Sequence, residues 1–191
     1  MKIGIFGGTF DPFHVGHMAI VERAFDQLKL DKIFIVPTTV NYYRPDTHHL
    51  FTFDQRCRAI QHFICGCDKP VEIDTIEKDK DGTWRSIDLV QYFNKKFPND
   101  ELYLLIGEDS YKEFKTWTRW EDILTYVKLA VANRGYANFI GKDFKADVPA
   151  ESIDMGDDFE ECSATNVRNL LAEECLDMYL NDAEWYGRRV K

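Results

Sequence analysis

The chain has 191 residues, 45% of them hydrophobic, and a formal net charge of −9. Such a length and apolar content suit one folded domain with a real core and exclude a disordered chain. The acidic excess argues against a nucleic-acid backbone as partner, and no apolar run approaches the roughly 20 residues of a membrane span.

Lys2-Ile3-Gly4-Ile5-Phe6 is a β-branched, apolar run that reads as a buried strand. It begins directly after Met1 with no signal-peptide pattern, so a cytoplasmic protein is expected. Gly7-Gly8 then breaks the run, where the backbone can turn tightly and a ligand can approach closely. Asp11-Pro12 ends the extended path, and His14 to His17 leads into the amphipathic stretch Met18 to Leu28. Strand, Gly-rich turn and helix start form an arrangement whose free N–H groups and dipole attract phosphate. His14 and His17, three residues apart on the first turn, point the same way and would donate hydrogen bonds to an anion held there. Read residue by residue the stretch is less telling, because glycine turns are common and paired histidines can be merely surface polar.

Lys32 to Pro37 is a second apolar strand, stopped by proline. Strands and helices alternating at this spacing predict parallel strands joined by right-handed crossovers, a Rossmann-like, doubly wound α/β sheet. Ligands then bind beyond the carboxyl ends of the strands, where strand order reverses, and the Gly7-Gly8 and Pro37-Thr38 turns are two such ends. The polar and aromatic residues Thr39 to Leu50 read as a loop at the mouth of the site. Thr52-Phe53-Asp54-Gln55 is a capping box for a helix over Phe53 to Ile64, with Cys57, Ile60 and Phe63 as inward candidates beside Arg56 and Arg58. Val71 to Ile76 alternates as a strand, Asp79-Lys80-Asp81-Gly82 is a turn, and Trp84-Arg85 precedes a helix over Ile87 to Lys96.

Leu102 to Ile106 is the most apolar run and predicts a central strand ending in Gly107-Glu108-Asp109-Ser110. Asp109 could accept hydrogen bonds from a ribose and Trp117 could stack on an aromatic base; a capping aspartate and a packing tryptophan are the plainer alternatives. Val127 to Ala132 is a further strand followed by Asn133-Arg134-Gly135, and Glu151 to Met155 a possible edge strand. In Cys162-Ser163-Ala164-Thr165-Asn166-Val167-Arg168, Ser163 or Thr165 can cap a helix over Asn166 to Cys175, and Arg168 can reach a phosphate. The five cysteines, Cys57, Cys65, Cys67, Cys162 and Cys175, are odd in number and irregularly spaced, which fits reduced thiols rather than disulfides or zinc. No repeat or linker interrupts the chain, so residues 1–191 are expected to form one domain.

Gly7-Gly8-Thr9-Phe10-Asp11-Pro12-Phe13-His14-Val15-Gly16-His17 resembles the G-G-T-F-D-P-x-H-x-G-H signature of the nucleotidyltransferase superfamily, most closely that of bacterial nicotinate mononucleotide adenylyltransferases. The Gly107 to Trp117 segment and the Ser163 to Arg168 motif resemble the same family. The resemblance implies adenylyl transfer from ATP to a pyridine mononucleotide, with direct attack on the α-phosphorus and no enzyme nucleophile. By it, His14, His17 and Arg168 would be catalytic, and ATP would also meet Gly7, Gly8, Thr9, Phe10, Gly16, Gly107, Asp109, Arg134, Ser163 and Thr165. The mononucleotide would meet Thr9, Phe10, Thr38, Arg44, Trp84, Arg85 and Trp117. Mg²⁺ would arrive on the ATP phosphates, without protein ligands. The chain departs from the family where a Pro-Pro-His-Lys-like segment is usual, so that Arg44 would replace its cation, and where Trp84-Arg85 stands for Tyr-Thr. Nicotinamide mononucleotide as acceptor, phosphopantetheine adenylyl transfer, polyol-phosphate cytidylyl transfer and a non-catalytic nucleotide sensor stay open, as does a homo-oligomer.

Overall fold

The computed structural model describes residues 1–40, 49–79, 84–133, 148–156 and 165. In chain order these form β1 (Lys2–Gly8), α1 (Val15–Leu28), β2 (Lys32–Pro37), α2 (Phe53–Ile64), β3 (Val71–Ile73), α3 (Ser86–Lys96), β4 (Glu101–Gly107), α4 (Glu108–Lys112), α5 (Trp120–Tyr126), β5 (Lys128–Asn133) and β6 (Ala150–Asp154), with a 3₁₀ turn at Phe114–Thr116. The strands build one sheet in the order β3-β2-β1-β4-β5-β6, every pair parallel. The chain therefore winds outward from β1 in one direction and from β4 in the other, and strand order reverses between them. Pairing between β1 and β4 stops at Ile5–Leu104, although the strands run on to Gly8 and Gly107. The two central strands thus part at their carboxyl ends and open a crevice there.

Alternation along the strands supplies the two cores. On β2, Ile33 and Ile35 join Met18, Val21, Ala24 and Phe25 of α1 on one face, while Phe34 and Val36 join Leu89, Val90 and Phe93 of α3 on the other. Both faces are covered, as a parallel sheet requires. Gln27 of α1 ties down the edge strand by donating to the carbonyl of Asp154 (2.8 Å) and accepting its amide (2.9 Å).

Within the described residues the expected strands and helices fall where the sequence places them, with three differences, and the helix expected over Asn166 to Cys175 lies outside the described residues. β3 ends at Ile73 rather than Ile76, because Asp74 turns its carboxylate inward to accept from Lys96 Nζ (2.8 Å), Tyr92 OH (3.3 Å) and the Ile76 amide (3.0 Å). Helices α4 and α5, of 5 and 7 residues, have too few turns to leave a periodic signal. On α2 the fully buried side chains are Arg56 and Ile60, whereas Cys57 is half-buried and Phe63 packs only at the rim. Burial raises the Cys57 thiol above its ordinary pKa, consistent with an unreactive cysteine.

Candidate active site

A cavity of about 250 Å³ lies in the crevice at the strand ends. Its lining comprises Gly7 and Gly8 at the end of β1 with Thr9 after it, Thr38 after β2, Glu77, Trp84, Arg85, Ser86 and Leu89 at the start of α3, Leu104 and Ile106 of β4, Ser110 of α4, and Trp117. Chain segments distant in sequence meet here because each follows the carboxyl end of a strand or opens the next helix. Gly8 must be small, since a Cβ there would stand 2.9 Å from the Phe10 ring. The Thr38 amide donates to the Gly8 carbonyl (2.9 Å), which joins the β1 and β2 turns. Trp84 and Trp117 are half-buried and rest on the α3-side core, Trp117 with its ring centroid 5.2 Å from that of Phe114. Each indole therefore packs and lines the cavity at once. Arg85 is exposed, and as the residue before α3 it donates its amide to Asp88 Oδ2 (3.0 Å).

After the Gly7 to Thr9 turn, His14 immediately precedes α1, and its carbonyl accepts the amides of His17 (2.9 Å) and Met18 (3.2 Å). The His14 amide in turn donates to His17 Nδ1 (3.2 Å). An accepting Nδ1 leaves the ring hydrogen of neutral His17 on Nε2, a donor on the opposite edge. The two imidazoles lie 3.8 Å apart between centroids, and the rings of Phe10 and Phe13 each stand 5.1 Å from His17. His14 is buried, at 2% exposure, and His17 is half-buried.

Of the residues expected at the site, Gly7, Gly8, Thr9, Thr38, Trp84, Arg85 and Trp117 come together around this one cavity. His14, Gly16 and His17 form the adjoining helix start and are not among its lining residues. Phe10 is instead a core residue, 4% exposed, with a positive φ of 48°. Gly107 precedes α4, and Asp109 is exposed on that helix rather than in the cavity. Thr165 is helical and exposed, while Arg44, Arg134, Ser163 and Arg168 lie outside the described residues. The described residues gather no group of three or more His, Cys, Asp or Glu side chains able to hold a metal ion, and none of their helices is long and apolar enough to cross a membrane.

Sequence reasoning missed Glu77, Ser86, Ser110 and Arg56. Ser86 and Ser110 carry no signal beyond standing after strand ends. Arg56, 1% exposed, sends Nη1 to the Thr9 carbonyl. Glu77, 5% exposed, accepts the Thr39 amide on Oε2 (3.2 Å), and burial pushes its carboxyl up to about 7 against the opposing pull of that amide and of Arg56. Asp11 of the motif, 5% exposed, accepts the amides of Leu50 and Phe51 (2.9 Å each). Its role is thus to anchor the end of the 39–50 segment. His49 sits 3.9 Å from it, and burial together with Arg56 holds that imidazole below its usual pKa.

A family model described as cytidylyltransferase-like matches residues 5–170, nearly the whole stretch from β1 through the Ser163 to Arg168 motif. This chain belongs to the cytidylyltransferase-like family. Among curated relatives of this family member, a protein of Pelobacter propionicus named "Probable nicotinate-nucleotide adenylyltransferase" is 37% identical over 134 residues, 70% of this chain and 61% of the relative. One of the same name from Solibacter usitatus is 33% identical over 177 residues, 90% of this chain and 88% of that one. Among solved structures, a Plasmodium falciparum nicotinic acid mononucleotide adenylyltransferase complexed with NaAD superposes with a TM-score of 0.73, covering 91% of this chain and 85% of that one at 18% identity. The last likeness is one of fold: the cytidylyltransferase-like chain shares the Rossmann-like architecture of a nucleotidyltransferase.

Proposed function

We propose that this chain transfers the adenylyl group of ATP to nicotinate mononucleotide, giving nicotinate adenine dinucleotide and pyrophosphate, a step of NAD synthesis in the cytoplasm, and that residues 1–191 act as one nucleotidyltransferase domain. One observation carries the reading. The cavity where strand order reverses is lined by the Gly7 to Thr9 turn and by two indoles, Trp84 and Trp117, whose faces and edges suit a planar ring. At about 250 Å³ it lies near the lower end of ligand pockets, room for one half of a dinucleotide, which suits the mononucleotide end of the product. The relatives' names agree with this substrate.

In the reaction, a phosphate oxygen of the mononucleotide attacks the α-phosphorus of ATP. The bond from that phosphorus to its bridging oxygen breaks, and pyrophosphate leaves with the electron pair. No side chain is needed as a nucleophile, so the chain contributes position and charge stabilisation. His17 offers its Nε2–H toward the phosphates, its other nitrogen being held by the His14 amide (3.2 Å). The start of α1 adds backbone N–H groups and its dipole beside His14. Arg134, Ser163, Thr165 and Arg168 would hold the β- and γ-phosphates from the carboxyl-terminal part of the chain. Mg²⁺ would be bound by the phosphate oxygens of ATP and supply charge neutralisation there. Thr9, Thr38, Trp84, Arg85 and Trp117 would hold the mononucleotide.

The test is pyrophosphate release from ATP with nicotinate mononucleotide, nicotinamide mononucleotide and phosphopantetheine, and from CTP with a polyol phosphate. Release with ATP and the pyridine nucleotides, greatest with the acid, and chromatographic recovery of the dinucleotide are expected. Release with another acceptor alone overturns the assignment of substrate, and binding without release overturns the assignment as an enzyme.

A further inference from the structure

Three ionisable side chains are almost wholly buried, Asp11 at 5%, Arg56 at 1% and Glu77 at 5% exposure, and Glu77 lines the cavity. Burying such ions costs several kcal/mol each, and well-packed apolar residues in their place are often at least as stabilising. Stability alone therefore does not account for the group. Its hydrogen bonds do: two members hold main chain just past the ends of β1 and β2, and the third holds the segment that leads into α2. Arg56 Nη1 grips the Thr9 carbonyl after β1, Glu77 Oε2 accepts the Thr39 amide after β2, and Asp11 accepts Leu50 and Phe51 at the far end of the segment that Thr39 begins. Thr9, Thr38 and Glu77 itself line the cavity, so the backbone is held at one wall residue, Thr9, and at Thr39 next to another, Thr38. Arg56 is the common countercharge, electrostatically coupled to both Asp11 and Glu77.

We propose that Arg56 and Glu77 are positioning residues for the mononucleotide half of the site, Arg56 by fixing Thr9 and Glu77 by fixing Thr39, so that the β1 and β2 turns stay at the spacing the pyridine ring and ribose require. Neither acts on the phosphorus; both act through the backbone they hold. The inference rests on the function proposed above, because it needs the cavity to take the mononucleotide.

The experiment compares Glu77→Ala, which removes the acceptor, with Glu77→Gln, whose side-chain carbonyl can still take the Thr39 N–H, and Arg56→Met with Arg56→Lys. Steady-state kinetics are measured with each substrate varied in turn, and folding is checked by thermal melting. Glu77→Ala is expected to raise KM for the mononucleotide about tenfold while KM for ATP stays within about twofold, the scale of one lost buried hydrogen bond. Glu77→Gln should stay within about threefold of the wild type, because its carbonyl preserves that bond. Arg56→Met should show the same selective rise, and Arg56→Lys should recover part of it. Should Arg56→Met fail to fold, the Glu77 pair decides. Mononucleotide quenching of the intrinsic tryptophan fluorescence, to which Trp84 and Trp117 at the cavity contribute, should weaken in parallel with KM. A folded Glu77→Ala with unchanged mononucleotide KM, an equal rise in both KM values, or a Gln variant as impaired as Ala overturns the inference while the wild type still turns over. A wild type that forms no dinucleotide from any pyridine mononucleotide overturns the function proposed above, and the inference with it.

Discussion

Replacing Glu77 by glutamine should make the protein more stable than the wild type in mild alkali and no more stable in acid. The carboxyl is 5% exposed and burial raises it from an ordinary 4.5 to about 7. Between those two values the folded state holds a proton that the unfolded state has lost. Stability therefore falls as pH rises across that interval and levels off once Glu77 is ionised in both states. The interval corresponds to about 3 kcal/mol, a large share of the roughly 5–15 kcal/mol that holds a domain folded. Glutamine keeps the shape and the acceptor for Thr39 without the charge, so it should escape this loss. Denaturant unfolding at pH 4.5, 6 and 8.5 measures it: the curves of the two proteins should diverge by about 3 kcal/mol between the first and the last. Parallel curves would show that Glu77 is ionised in the folded protein throughout, and that the pull of Arg56 outweighs burial.

His17→Ala should lower kcat by about two to four orders of magnitude with a smaller change in KM, as expected for a preorganised donor whose contact strengthens in the transition state; an unchanged kcat removes it from the mechanism. Trp117→Ala should raise KM for the mononucleotide and spare that for ATP; a variant with normal kinetics at low temperature and a lowered melting point would leave only its packing on Phe114 (5.2 Å). Arg85→Ala should reduce a preference for nicotinate over nicotinamide mononucleotide by about ten- to a hundredfold in kcat/KM, the worth of one charge-assisted contact to the carboxylate, and an unaltered preference would leave that discrimination to neighbouring backbone amides.

The architecture was legible because strand and helix signals alternate along the chain with short breaks. Right-handed parallel crossovers leave few ways to order such strands, and the order found, β3-β2-β1-β4-β5-β6, brings the β1 and β4 ends together. That is why Gly7, Thr38, Trp84 and Trp117, chosen from separate stretches, line one cavity. Arg56 was not legible for an equally physical reason. On a helix, the amphipathic pattern assigns an arginine to solvent, and it predicts Cys57, Ile60 and Phe63 as the buried face. Arg56 is buried only because Asp11 and Glu77, each from another segment, arrive beside it with opposite charge, and the Thr9 carbonyl takes its hydrogen bond. No local window contains that coincidence. Glu77 was hidden in the same way, as one acidic residue in the charged run that follows β3.

The motif at the end of β1 also means something different in three dimensions from what it means as a string. Its glycines suggest room for a ligand, yet the atoms that would crowd a Cβ on Gly8 belong to Phe10, at 2.9 Å, rather than to open space. Phe10 reaches that place because its backbone takes the left-handed conformation, φ 48°, that few side chains adopt. Its ring then meets Phe6 at 5.2 Å, Phe13 at 5.3 Å and, edge-on, His17 at 5.1 Å. The three phenylalanines thus pack about the imidazole while the His14 amide donates to its Nδ1. Glycine at position 8, phenylalanine at 10 and histidine at 17 are therefore one packing unit: the first leaves space for the second, and the second sets the plane of the third. A Cβ at Gly8 would press on the Phe10 ring, which packs edge-on against His17, so the residues of the motif are tied to one another through this packing.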